Sequence, residues 1–298
     1  MAKTIGVTLS ERILAGLIVD HKLAGPLQSY PESVETDDAL VQMHSEAMMR
    51  KICEQVVKLA DEDRDIAAVG VALPGFVRNG VVEEAPNLPQ LKGAKIQEKL
   101  TEMLSEHGIR TKVTVLNDAD AVAAGLAATK GKLDSLIRVW TLGIGIGYGR
   151  YPFSPGVWEG GHTVVTLDEK ERFCGCGGRG HMEGIMGHRA MRLRFLDMEP
   201  EEVFENAAKG DPRCVEFKKL WHRALAAGSA STVHMSGPGK IYLTGLNVKF
   251  VDMALLKEEM KNMVKMSPLL SYSFEICDDY AETRVIGAAV AAEQAAAR

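Results

Sequence analysis

The stretch from Trp158 to Gly184, WEGGHTVVTLDEKERFCGCGGRGHMEG, constrains the fold of this chain more than any other part of it. It brings two thiols, Cys174 and Cys176, and two imidazoles, His162 and His181, within reach of one metal ion. Two soft thiolates and two imidazoles suit tetrahedral zinc, and glycines between them permit the tight turns that such close ligand spacing requires. Closed around an ion, the stretch becomes a knuckle with a carboxylate at each end, Glu159 and Glu183. The alternative is a flexible loop in which Cys and His co-occur without meeting, and the Cys-x-Cys pair argues against it.

With 298 residues, 46% of them hydrophobic, the chain can bury a large core and divide into two domains. A net charge of -5 argues against nucleic acid or an anionic membrane as partner, because neither attracts an acidic protein. No apolar run reaches the length of a membrane span. The N-terminus enters strand-like sequence without a signal-peptide core, so a cytoplasmic address is expected. Five cysteines, two of them in Cys-x-Cys, do not suit a secreted disulfide framework. Cys53, Cys214 and Cys277 lie in or beside apolar runs and are expected to be buried free thiols.

The pattern along the chain predicts an α/β fold. TIGVTLSERILAGLIVD reads as a β-hairpin, Thr4 to Leu9 against Ile13 to Val19. Apolar residues at helical spacing fill Asp37 to Leu59, IAAVGVAL reads as a buried strand ending at Pro74 and Gly75, and GVVEEAPNLPQLKG reads as a turn-rich connection. A helix stopped by Gly108, the strand TKVTVLN and a small-residue helix from Asp118 to near Gly131 follow. LIRVWTLGIGIGYGRYP is a strand breaking into alternating glycines, and Gly184 to Gly228 is largely helical. The strand KIYLTGLN, the helix DMALLKEEMKNMVKM and an Ala-rich helix close the chain. Hinges are expected near Asn117 and near Asp278 to Glu282. They divide a small lobe, 1–116 plus 283–298, from a larger lobe, 117–282, that carries the knuckle.

Taken in order, GVALPGFV, APNLP, NDADAVAAG, TLGIGIGYG, EGGH, CGCGGRGHME and VIGAAVAA resemble the ROK family of sugar kinases and sugar-responsive repressors over nearly the whole chain. The family signature is commonly CxCGxxGCxE, and His181 stands here in place of the third cysteine, which keeps a Cys2His2 site chemically sound. His188 is a poorer substitute ligand. The resemblance implies the actin-like ATPase (ribonuclease H-like) fold, two lobes around a cleft. It also implies that Asp118 of the Asn117-Asp118 pair is the general base toward a sugar hydroxyl, at a helix start whose dipole keeps a carboxylate ionised. Asp120 is read as first-turn charge. Sugar hydroxyls both donate and accept, and the matching positions are Asn117, Glu159, His162 and Glu183, with Gly75 and Asn87 in neighbouring loops. His162 would hold zinc through one ring nitrogen and a sugar through the other, with the zinc structural.

For Mg-ATP the resemblance implies Gly143, Gly145 and Gly147 at the second phosphate motif and Gly245 in the adenosine region. Three departures stand against this. The usual DxGGT-like hairpin is replaced by VTLSER, with Thr8 for the aspartate and Ser10, Glu11 and Arg12 for Gly-Gly-Thr. Arg12 is expected to offset the Glu11 charge in part, as a cation. Ile144 takes the place of a hydroxyl residue, and YLTGLN lacks the usual glycine cluster. Two readings follow: an ATP-dependent kinase of a hexose or N-acetylhexosamine, or a catalytically impaired sugar-binding or regulatory protein. Repressors of the family carry a helix-turn-helix domain ahead of the kinase-like part. Here the hairpin starts at the fourth residue, and direct repression is not expected. A homodimer or tetramer is implied by resemblance alone.

Overall fold

The computed structural model describes residues 2–10, 12–32, 40–61, 63–153, 158–278 and 281–297. Glu11 and part of the expected hinge at 278–282 lie outside the described residues. By contacts the chain forms two units, Met1–Ile137 with Gly149–Val157 and Asp279–Arg298, and Arg138–Tyr148 with Trp158–Asp278.

The first unit is built on Lys3–Leu9 (β1), which is buried along nearly its whole length and therefore sits inside a sheet covered on both faces. Ile13–Val19 (β2) pairs with it antiparallel from Lys3↔Val19 to Leu9↔Ile13, as the hairpin reading expects. Lys22–Leu23 (β3) and Gln28–Tyr30 (β4) both pair with β2. Ser45–Ala60 (α1) turns Met48, Met49, Ile52, Cys53 and Val56 inward at helical spacing. It begins later than Asp37, and 37–39 lie outside the described residues. Ala68–Leu73 (β5) runs parallel to β1.

The connection that follows contains more structure than its turn residues suggest: Phe76–Arg78 (β6) and Val81–Glu84 (β7) form a hairpin. Its two-residue turn, Asn79-Gly80, has both φ angles positive, at 51° and 75°. That geometry matches the twist of the flanking strands and favours this dipeptide. Ile96–Glu106 (α2), Lys112–Asn117 (β8) parallel to β5, and Asp118–Thr129 (α3) complete the series. The closing helix, Ala281–Ala296, lies against β1 and β5 where Gly6 and Gly70 leave no room for a Cβ beside the Val285 and Ala288 carbonyls. At Gly287 a Cβ would fall on the Ala121 carbonyl oxygen of α3. This close approach keeps α3 with the first unit, so the contact division falls after Ile137 instead of the expected residue 116.

In the second unit, Ile137–Leu142 (β9) and Ile146–Tyr151 (β10) enclose a glycine turn, β9 starting at the unit's edge and β10 ending beyond it. Met182–Met186 (α4), His188–Arg194 (α5), Pro200–Ala208 (α6) and Pro212–Ser236 (α7) bear out the helical reading. Asp211 caps α7 by accepting the Cys214 N–H at 2.9 Å. The helix does not stop at Gly228. Met182 Sδ fills the space a side chain would need there, so this glycine serves packing inside the helix. Lys240–Thr244 (β11), Met253–Met263 (α8) and Ser273–Ile276 (β12) follow. The sheet order is β10-β9-β11-β12, with β11 parallel to both neighbours. Its core packs Trp140, Trp221, Phe217 and Phe250. Cys53 and Cys214 are buried, whereas Cys277 is half-buried. Among the described residues no helix is long and apolar enough to cross a membrane.

Candidate functional site

Two short antiparallel arms build the knuckle. Val165 N–H donates to the Gly180 carbonyl at 2.8 Å and Met182 N–H to the Thr163 carbonyl at 3.0 Å, which pairs Val164 with His181 and leaves the His162 and His181 rings 5.2 Å apart, centroid to centroid. Gly178 leaves the His181 ring the space a Cβ would take. One donor atom from each of His162, Cys174, Cys176 and His181 lies within 4.8 Å of all the others. Cys174 Sγ is 3.5 Å from His162 Nδ1 and 3.4 Å from Cys176 Sγ. Cys176 Sγ is 3.2 Å from His181 Nδ1, and the two Nδ1 atoms are 3.3 Å apart. A tetrahedral ion with bonds of about 2.3 Å to sulfur and about 2.0 Å to nitrogen sets edges of about 3.8 Å between sulfurs, about 3.3 Å between nitrogens and about 3.5 Å between unlike ligands. The four donors fit such an ion, with the sulfur pair and the Cys176–His181 pair slightly inside their ideal edges.

The ligands differ in how readily they take their ligating form. Burial pushes the Cys174 thiol up to about 12, and the Glu183 carboxylate adds in the same direction, so without a cation this sulfur keeps its proton. Burial, with the neighbouring His162, lowers His181 below its usual value and favours the neutral, ligating ring. Both histidines present Nδ1 to the group, leaving Nε2 on the other side of each ring. His188 does not join them: its Nδ1 meets Asn247 Oδ1 at 3.0 Å. It groups instead with Glu199 and Glu201, whose carboxylates are already paired with Arg192 and Lys249.

Of the two flanking acids, Glu159 is exposed and its carbonyl starts the short helical turn Gly160–His162. Glu183 is more deeply engaged. Its Oε2 accepts the Ile146 N–H at 3.0 Å and its Oε1 lies 3.7 Å from Cys174 Sγ, so it links the knuckle to the glycine turn between β9 and β10. At Gly145 a Cβ would sit 2.5 Å from Glu183 Oε2, so a side chain there would push that carboxylate off the Ile146 N–H. Gly143 N–H closes the turn on the Gly145 carbonyl at 3.0 Å, Gly147 lies in β10, and Ile144 is exposed at the tip. Gly245, at φ 100°, packs on the end of β9, where its Cβ would be 2.7 Å from the Leu142 carbonyl oxygen.

In the first unit the structure brings Asn117, Asp118 and Gly75 together. Asn117 ends β8 and caps α3, its Oδ1 accepting the Ala119 N–H at 2.8 Å while its Nδ2 donates to the Gly75 carbonyl at 2.9 Å. Asp118 opens α3, half-buried, and its Oδ1 also accepts the Ala119 N–H at 2.9 Å. Asp120 is more than first-turn charge. It is buried, and its Oδ1 accepts the Arg150 N–H at 3.0 Å, fixing the end of β10 to α3. Asn87 stands exposed two residues past Ala85, which packs on Gly75. Arg12 reaches Ser29 Oγ at 3.4 Å, and Thr8 is buried within β1 between Leu14 and Ala72. Sequence reasoning missed Asn247, a buried polar residue in the apolar run YLTGLNVKF.

Comparison with known proteins assigns the family. The ROK family profile matches residues 32–295. A glucokinase of Pyrobaculum calidifontis is 29% identical over 228 residues, covering 72% of this chain and 74% of that protein. An N-acetylmannosamine kinase of Haemophilus influenzae is 29% identical over 180 residues, which span 56% of this chain and 58% of that protein. The crystal structure of a ROK hexokinase from Thermus thermophilus superposes with a TM-score of 0.78 at 23% identity, covering 98% of each chain. The mixed α/β architecture is thus that of the actin-like ATPase fold. The chain belongs to the ROK family.

Proposed function

We propose that this protein is an ATP-dependent kinase of a hexose or N-acetylhexosamine, with Asp118 as general base. The observation that carries this reading is the β8–α3 corner. Asn117 is locked by the Ala119 N–H and the Gly75 carbonyl, which fixes the backbone that presents Asp118 at the first position of α3. The positive end of that helix favours the ionised carboxylate a base requires. Asp118 takes the proton of a sugar hydroxyl as its oxygen attacks the γ-phosphoryl group, and the proton stays on the carboxyl. The kinase activity named for similar proteins supports the reading. Glu159, His162, Glu183 and Asn117 are the sugar contacts in it, with Gly75 and Asn87 in the adjoining loops. Gly143, Gly145, Gly147, Gly245 and Arg12 are the nucleotide contacts.

Zinc is the ion the Cys2His2 donor set fits. His162, Cys174, Cys176 and His181 would hold it, and with no open position it would serve as a structural cross-link that fixes the His162 ring. Magnesium is a different matter. No described side chain of the β1–β2 turn offers it a carboxylate, since Thr8 stands buried in the strand.

The test is a coupled ADP-release assay over hexoses and N-acetylhexosamines. Asp118→Asn is expected to lower kcat by about 10²–10⁴, and no turnover above that control with any sugar would sink the reading. The buried Thr8 and exposed Ile144 favour a second reading, a sugar-binding or regulatory protein that binds no nucleotide. Tight Mg-ATP binding by calorimetry would count against it.

A further inference from the structure

One buried polar cluster in the second unit belongs to neither the metal group nor a helix cap. Asn247 is fully buried, and its Nδ2 donates to the Gly143 carbonyl at 3.0 Å and to the Met186 carbonyl at 3.2 Å. With both amide hydrogens committed to carbonyls, Oδ1 must accept, so His188 Nδ1 carries the proton in their 3.0 Å bond. The His188 N–H donates to the same Gly143 carbonyl at 3.0 Å. Two residues before Asn247, Gly245 rests on Leu142. The turn after β11 and the turn after β9 therefore form one packed unit, tied by a side chain from the first and the start of α5. Burying an asparagine and an imidazole is unfavourable unless every bond is made, so such a cluster specifies a single geometry.

We propose that Asn247, held by His188, is the positioning residue that fixes the Gly143–Gly147 turn to the turn at Gly245. In doing so it keeps the phosphate side and the nucleoside side of the nucleotide site in register. This rests on the nucleotide reading of those glycines. The turn has few other supports: the Gly143 N–H to Gly145 carbonyl bond within it, a long 3.4 Å bond from the Arg189 N–H to the Ile144 carbonyl, and Glu183 on the Ile146 N–H. Ile144 stands exposed at its tip with an apolar side chain. Where the family's glycine cluster is absent from YLTGLN, a side chain supplies the rigidity.

The test uses the full chain with Asn247→Leu, which removes both donors and the acceptor at similar volume, and with His188→Ala against His188→Gln, which restores an N–H donor. Binding of the Mg complex of a non-hydrolysable ATP analogue is measured by calorimetry, and amide hydrogen exchange is followed by mass spectrometry. Asn247→Leu is expected to weaken the analogue by about tenfold or more, equivalent to about 1.4 kcal/mol. It should speed exchange in 143–147 and leave α7 protected. His188→Gln should recover most of what His188→Ala loses. Unchanged exchange in 143–147 in a folded Asn247→Leu protein overturns the proposal, as does faster exchange spread evenly over the unit, which would make Asn247 a general core residue. A wild-type chain that binds no analogue refutes the nucleotide reading instead, and exchange then decides the clamp by itself.

Discussion

Replacing Asn117 by alanine removes both bonds on which the β8–α3 corner rests, the N-cap to Ala119 at 2.8 Å and the donation to Gly75 at 2.9 Å. Loss of a cap costs about 1 kcal/mol, and leaving a part-buried carbonyl without its donor costs about 1–2 kcal/mol more. Asp118 Oδ1 already accepts the same Ala119 N–H at 2.9 Å and recovers part of the cap, so the expected loss is about 2 kcal/mol. For a unit of this size that lowers the transition by about 4–8 °C. Asn117→Ser keeps a capping oxygen but cannot reach Gly75, and should recover about half of the loss. Asn117→Asp keeps the cap and turns an oxygen toward the Gly75 carbonyl, and should be less stable than serine. Differential scanning calorimetry is the assay, because the two units need not unfold in one step. An alanine variant within about 1 °C of wild type, or a serine variant no better than alanine, would refute the reasoning. Activity lost without stability would mean that Asn117 acts on the substrate alone.

Three further outcomes are expected. Elemental analysis should find one zinc per chain, lost in Cys176→Ser; chelation should lower the second unit's transition and leave the first in place. His222 is fully buried, its Nδ1 donating to the Lys218 carbonyl and its Nε2 accepting the Asp252 N–H, both at 2.7 Å; burial above all holds its pKa below the usual value. The unfolded chain therefore binds that proton more readily, and stability falls as pH drops below about 6.5, by at most about 1.4 kcal/mol per pH unit. Urea midpoints from pH 7 to pH 5 should show this slope in wild type and a shallower one in His222→Gln. Gly287→Ala sets a methyl on the Ala121 carbonyl and should cost about 3 kcal/mol or more, read as loss of soluble protein or of the first transition.

What was legible in the sequence is what local periodicity and chemistry encode. The β1–β2 hairpin, the α/β alternation and the grouping of His162, Cys174, Cys176 and His181 follow from alternation, helical spacing and residue type. The β6–β7 hairpin was legible too, since Asn79-Gly80 is the dipeptide its turn demands, but the surrounding prolines and glycines masked it. Other features depend on partners far along the chain. Gly228 reads as a helix stop until Met182 is seen in its place, and α3 reads as the start of the larger lobe until Gly287 is found against it. Asp120 resembles any acid in a first helical turn, and only the Arg150 N–H reveals why it is buried. Asn247 belongs with these, because its partners Gly143 and Met186 lie on other elements.

The two turns that resemble phosphate motifs differ in how much of the fold supports them, and this bears on which activity to expect. At the β1–β2 turn, Thr8 lies in the sheet interior and no described carboxylate replaces it. At the β9–β10 turn, Glu183, His188 and Asn247 each hold a backbone group. Impairment at the first turn alone corresponds to one missing phosphate contact, about 10²–10³ in rate. Set against a typical kcat of about 10 s⁻¹, that leaves roughly 0.01–0.1 s⁻¹. Asp118→Asn should fall a further 10²–10⁴ or so below this. The kinase and the non-catalytic reading therefore diverge at slow turnover, where an assay tuned to ordinary kinases would report nothing for either. An ADP-release measurement sensitive to about 10⁻² s⁻¹, run with the Asp118→Asn control, separates them.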